Sequence, residues 1–306
     1  MKNAIRKIFP GEPEVQEYIT IKVGEEIWET VFLETNRQSI NISGSHWLLS
    51  LEPMVIGVFL CNKIQIGKNQ EFKIRYKSKN STFTEAVMFG SYFDSFDEPE
   101  GTLYLFEINR TNIFQKNWLF RTGLYRRYFV SRQPSKNKYK SLVGAFSYPR
   151  KVKLVSFKQD HYYNIFPMDL LGEVGAGYHV FGLRHSNIAL EKMLQSAKVV
   201  VSDISFEHKK IIYDLGKHHG TNPPPVQQLP FQVNLTSKFG FYIPEWIENY
   251  REIEITRKLN LGSHMLLWGK ILQTVNMAPK PTQLAHIHFL HYLQLKKFGE
   301  NYPKVD

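Results

Sequence analysis

The chain has 306 residues, 42% of them hydrophobic and 14% aromatic, enough apolar material for more than one buried core. A single cysteine, Cys61, excludes an intrachain disulfide and a multi-cysteine metal site, and no run of roughly 18–20 uncharged apolar residues is present to span a bilayer. The net charge of +11 favours phosphate-bearing partners, but the basic residues are scattered rather than gathered into a stripe, which argues against nucleic acid as a partner. The opening MKNAIRKIFPGEPEVQEY has no apolar core of a secretory signal, so the expectation is a reduced, cytoplasmic setting without a membrane.

Residues 17–130 read as strands. EYITIKV, ETVFLE, MVIGVFL, EFKIRYKS, AVMFGSYF, TLYLFEI and WLFRTGLYRRYFV are short, rich in Val, Ile, Phe and Tyr, and separated by Gly, Asn, Asp or Pro. They predict an all-β sandwich or barrel of unread function over residues 1–135. The polar run SRQPSKNKYKS at 131–141 reads as a linker, and a second domain is expected over 136–306.

Beyond the linker, helices join the strands. VKLVSF (152–157) and YHVFGL (178–183) read as strands. Residues 187–198 predict an amphipathic helix, with Ile188, Leu190, Met193, Leu194 and Ala197 at helical spacing. A strand follows at 199–206 and a short helix at 208–217, ending near Gly216. After a loop with Pro223, Pro224 and Pro225 come two strands, 252–258 and 264–275. The two halves share strand richness but do not align as a repeat.

The helix entrance at 184–187 carries the best chemical clue. A strand runs into Arg184, His185, Ser186 and Asn187, and the helix starts at once. Ser186 suits the N-cap, and the free amides of a first turn favour an anion beside Arg184. An ordinary capped helix with a solvated Arg is the competing reading. Among the histidines, His286 and His288 share a face if LAHIHFLHYL is a strand, and His288 and His291 are neighbours if it is a helix. No cysteine or carboxylate stands beside them in the sequence to complete a metal set, so no metal is expected.

Several segments together resemble the flavin reductase-like, FMN-binding family. They are Tyr148, Pro149, Arg150, Lys151 and Val152 leading into a strand; Asn164, Ile165, Phe166, Pro167 and Met168; the corner Arg184, His185, Ser186, Asn187 and Ile188; and GSHMLLWGKILQTV, with His264 and Gly269. The resemblance spans roughly residues 145–300. Lys151 stands where a second Pro is usual, and LLGEVGAGY before the strand at 178 departs from the family pattern.

The resemblance implies a mainly β chain whose C-terminal half is a split β-barrel with a few helices, preceded by the additional all-β domain. It implies a homodimer with FMN near the interface. Arg184, His185, Ser186 and Asn187 would hold the phosphate and ribityl chain, while Asn164 to Met168 would flank the isoalloxazine. His218 is a candidate for the pocket lining. The implied reaction is hydride transfer from NADH or NADPH to the flavin, which needs no catalytic side chain of its own. A non-catalytic flavin-binding or electron-transfer module, and an interaction protein without cofactor, are the alternatives.

Overall fold

A computed structural model describes residues 17–24, 27–35, 38–61, 71–78, 83–129, 135–216, 220–277 and 282–297. The described residues are mainly β, as expected, with few helices. The first half contains β1 (Tyr18–Val23), β2 (Thr30–Glu34), β3 (Ser39–Asn41), β4 (His46–Leu51), β5 (Met54–Leu60), β6 (Phe72–Lys77), β7 (Thr84–Glu98) and β8 (Gly101–Ile113). Burial alternates along β1 and β2, the mark of strands with one wet face, whereas β5 is buried throughout. Two helices follow, α1 (Trp118–Leu124), continued by a π-helical turn, and α2 (Lys136–Ala145).

Two expectations are corrected here. Residues 118–130, read as a strand, are helical from Trp118 to Phe129, because Asn117 accepts a hydrogen bond from the Phe120 amide at 2.8 Å and so caps a helix. The supposed linker at 131–141 holds most of α2. Ser135 caps it at 3.1 Å through the Lys138 amide, and Tyr139, Leu142 and Val143 are buried in the first core. Of the charges that suggested a linker, Lys136 is exposed on the first turn of α2, while Lys138 and Lys140 are half-buried along it.

The second half contains β9 (Arg150–Lys151), β10 (Lys153–Gln159), β11 (Tyr162–Met168), β12 (Leu171–Val174), β13 (Tyr178–Arg184), α3 (Ala189–Ser196), β14 (Lys198–Ser202) and α4 (Lys209–Leu215). It continues with β15 (Val233–Leu235), β16 (Tyr242–Pro244), β17 (Asn249–Asn260), β18 (His264–Asn276), β19 (Gln283–His288) and α5 (Phe289–Lys297).

The structure contains the repeat that the sequence hides. One seven-stranded sheet has the order β3-β2-β6-β7-β8-β5-β4, the other β11-β10-β14-β17-β18-β13-β12. Numbered in chain order within each sheet, both run second, first, fifth, sixth, seventh, fourth, third. The register agrees as well. In the β7–β8 hairpin, Tyr92, Ser91 and Gly90 pair with Phe106, Glu107 and Ile108 between bulges at Phe93 and Asn109. In β17–β18, Ile255, Glu254 and Ile253 pair with Gly269, Lys270 and Ile271 between bulges at Thr256 and Leu272. The hairpin ends correspond too: Ala86 pairs with Ile113 as Asn249 pairs with Asn276. A bulge bends and twists its strand, so two bulges at matching places give the two sheets the same local form.

The sheets meet face to face. Leu49, Val55, Phe59, Leu103 and Leu105 of β4, β5 and β8 share one buried cluster with Val174, Val180, Leu266 and Trp268 of β12, β13 and β18. Glycine permits the closest approaches. A Cβ on Gly172 would stand 2.6 Å from Cε2 of Trp47, and one on Gly182 would stand 2.7 Å from the carbonyl carbon of Leu49. A third sheet, β1-β19-β9, joins the first described strand to the last.

Candidate functional site

β13 ends at Arg184, and the chain turns on a hydrogen bond of 3.0 Å from the Asn187 amide to the Arg184 carbonyl. α3 then starts after Ile188, whose side chain caps nothing. This corrects the assignment of Ser186 as N-cap: Asn187 lies nearer the first turn, and its Oδ1 accepts the Ala189 amide at 2.9 Å. The Ser186 hydroxyl is thereby left for another use.

The corner opens onto a cavity of about 350 Å³. Arg184, Ser186 and Asn187 line one part, and Phe166, Pro167 and Met168 of β11 line another. These two segments were selected separately from the sequence, and the fold brings them together. Leu51 of the first half forms a further part of the wall, with Gly182, Gly216 and His264. The Arg184 side chain is exposed and makes no hydrogen bond or ion pair among the described residues. β11 is an edge strand, so amides on its outer side have no strand partner.

Other expected site residues lie elsewhere. Asn164 is fully buried, with Nδ2 donating to Tyr162 Oη at 3.2 Å, and Ile165 belongs to the second core; neither lines the cavity. The His185 ring turns towards the β17–β18 connection, where Nε2 meets Asn260 Oδ1 at 3.1 Å. His218 lies outside the described residues. His264 is held by Ser263 Oγ at 2.7 Å from Nδ1. Burial, with Arg184 and His185 nearby, pushes its pKa down to about 4, so the imidazole facing the cavity is neutral at pH 7.

Asp169, next after β11, was not singled out in the sequence. It lines the cavity, and its Oδ2 lies 2.9 Å from His286 Nδ1; His286 Nε2 lies 2.9 Å from Tyr213 Oη, which is 2.6 Å from Thr20 Oγ1. This chain of polar groups links the cavity rim to α4 and β1. It also separates the histidines: His286 serves Asp169, while His291 meets Glu29 at 2.8 Å and Glu85 at 3.5 Å. Among the described residues no group of three or more His, Cys, Asp or Glu is arranged to hold a metal ion. A second cavity, of about 440 Å³, lies between the halves; among its charges Lys153 pairs with Asp203 and Arg251 with Glu173.

No protein-family model matches the chain, and no curated protein matches it. Over about half its length the chain is similar to solved split-barrel flavoproteins. One is the FMN-binding protein from Thermus thermophilus, with bound p-hydroxybenzaldehyde, at 18% identity and a TM-score of 0.40, covering 46% of this chain and 82% of that one. Another is the NADH:FAD oxidoreductase of Streptomyces globisporus, at 14% identity and a TM-score of 0.44, covering 50% and 90%. A third is the flavin reductase component of a bacterial two-component tryptophan halogenase, at 13% identity and a TM-score of 0.39, covering 47% and 93%. Among the described residues no helix is long and apolar enough to cross a membrane.

Proposed function

We propose that this protein binds FMN in the cavity between Arg184 and Met168 and works as an NAD(P)H-dependent flavin oxidoreductase. The observation that carries the reading is the convergence of Arg184, Ser186 and Asn187 with Phe166, Pro167 and Met168 on one cavity of about 350 Å³. That volume lies within the roughly 300–1,000 Å³ of ordinary ligand pockets. The donor set suits an anion with an apolar body attached. Arg184 supplies an unpaired cation and Ser186 a free hydroxyl, side by side where β13 turns into α3. The bodies of Phe166, Pro167 and Met168 offer an apolar flank to a flat ring.

Bound there, the flavin would supply the redox chemistry, accepting a hydride from NADH or NADPH and passing electrons on. The side chains bind, orient and shield. His264, neutral at pH 7, is suited to hydrogen bonding rather than to carrying charge. Leu51 covers part of the wall with apolar surface and excludes water. Asp169 holds His286, and through it Tyr213, in a fixed place at the rim.

The test compares FMN with riboflavin, which lacks the phosphate. Loss of one charge-assisted contact is worth about 1.5–3 kcal/mol, or roughly 10- to 100-fold in affinity. Arg184→Ala is therefore expected to weaken FMN by that factor while changing riboflavin affinity less than about threefold. Equal losses for both ligands would remove Arg184 from the phosphate seat.

A further inference from the structure

The resemblance implies two copies of the chain around the flavin. We infer instead that the first half of this chain is the second subunit of the site, joined in cis, and that each chain holds one flavin-competent cavity. This rests on the flavin reading of the cavity above.

The interface between the halves has the character of a two-fold dimer contact, in which the same surface is used on both sides. The third, fourth and seventh strands of one sheet meet the third, fourth and seventh of the other. Corresponding residues touch. Trp47 pairs with Gly57 and through it with Leu105, while Gly172 pairs with Val180 and through it with Trp268. Leu105 and Trp268 hold the same place beside the first bulge of their hairpins, so Trp47 and Gly172 are counterparts. It is Trp47 that lies against Gly172.

The turn contacts are reciprocal as well. Glu100, in the β7–β8 turn, accepts the Ala176 amide at 3.0 Å in the β12–β13 turn. Ser263, in the β17–β18 turn, donates its amide at 2.7 Å to the Glu52 carbonyl in the β4–β5 turn. Each half reaches across with the same turn to the same turn of the other.

The symmetry stops at the cavity. By register, Gly182 corresponds to Phe59, Arg184 to Cys61 and His264 to Gly101. Where the second half has a glycine that leaves room, the first half has a ring. A Cβ on Gly101 would meet Cζ of Phe59 at 2.8 Å, so that ring occupies the counterpart position. The first half also lacks the cation at the strand end. It keeps the supporting task and supplies Leu51 to the wall of the other cavity. One connection is also shorter in the first half: residues 78–83 join β6 to β7, where α4, β15 and β16 lie between β14 and β17.

The experiment uses the full chain in three measurements. Light scattering after size exclusion is expected to give one chain, near 35.9 kDa, with or without FMN and over a hundredfold dilution. Titration is expected to saturate at one FMN per chain. Two variants, Arg184→Ala and Leu51→Asp, are each expected to lose FMN affinity at least tenfold, and mixing them is expected to restore nothing. A two-chain species that releases FMN on dilution, two flavins per chain, or recovery of binding on mixing would each overturn the inference. A single-chain species that binds no FMN would support the pairing in cis and overturn the flavin reading instead.

Discussion

Gly182→Ala tests the packing of the two halves at its tightest point. Gly182 lies in β13 with its amide bonded to the Leu170 carbonyl at 2.8 Å, and its backbone does not adopt the left-handed region. Only space forbids a side chain there. An added Cβ would stand 2.7 Å from the carbonyl carbon and 3.0 Å from Cα of Leu49, and nearer still to the carbonyl oxygen. Ordinary contact begins near 3.4 Å, and the obstacle is backbone whose carbonyl oxygen lies closest of all, so β4 and β13 must move apart by more than an ångström. That shift loosens the shared cluster around Val180, Leu266 and Trp268. Overpacking of this kind costs about 1–3 kcal/mol. Gly177→Ala is the control, since nothing lies within 4 Å of its Cβ, and it should stay within about 0.5 kcal/mol of the parent. Urea midpoints and thermal unfolding, at roughly 2–4 °C per kcal/mol for a domain of 150–250 residues, read the difference. If Gly182→Ala unfolds at the same urea concentration as Gly177→Ala, the close approach of the halves is refuted.

The buried histidines set the pH dependence. Burial pushes His179 and His288 down to about 3 and His264 to about 4, and lowers His46 as well. Their folded pKa values lie below the unfolded value near 6.5, so the folded state binds fewer protons and stability falls as the pH drops from 6.5 towards 4. His291 behaves oppositely. Burial alone would lower it, but Glu85 and Glu29 outweigh that and hold it up at about 10. Its contribution is complete below pH 6.5 and is lost as the pH rises towards 10, which gives an alkaline decline in unfolding temperature. A flat profile between pH 6.5 and 9 would contradict the pairing. His291→Leu strands two buried carboxylates and should cost about 3–5 kcal/mol at pH 7 while abolishing the alkaline decline. Retention of that decline in the variant would assign it to another group.

Sequence reading located the strands well where alternation or unbroken apolar runs fixed the period, as in MVIGVFL (β5) and HMLLWGKILQTV (β18). It failed at 118–130, where aromatic residues at mixed spacing look like a strand and one asparagine cap decides for a helix. It also passed over β4, whose HWLLSL interrupts the alternation with a bulge near Leu49. The repeat stayed hidden because strand order and register are properties of pairing, and no local pattern records them. Tyr92 and Ile255, or Trp47 and Gly172, correspond in place without corresponding in type.

At the site, Arg184, Ser186 and Asn187 were legible because a strand end, a cation and a helix start lie together in sequence. Leu51 was not, since it reaches the cavity from over a hundred residues away. Asp169 and His286 carried only half a signal each. Their partnership appears once β19 has returned beside β9, and nothing near either residue announces it.

The most direct test of the central claim is the absorbance of the purified chain, mixed with FMN and then desalted. The flavin bands are expected to remain with the protein and to bleach when NADH or NADPH is added without oxygen. A chain that emerges colourless after soaking in FMN would contradict the cofactor assignment, and retained flavin that neither nicotinamide reduces would contradict the oxidoreductase.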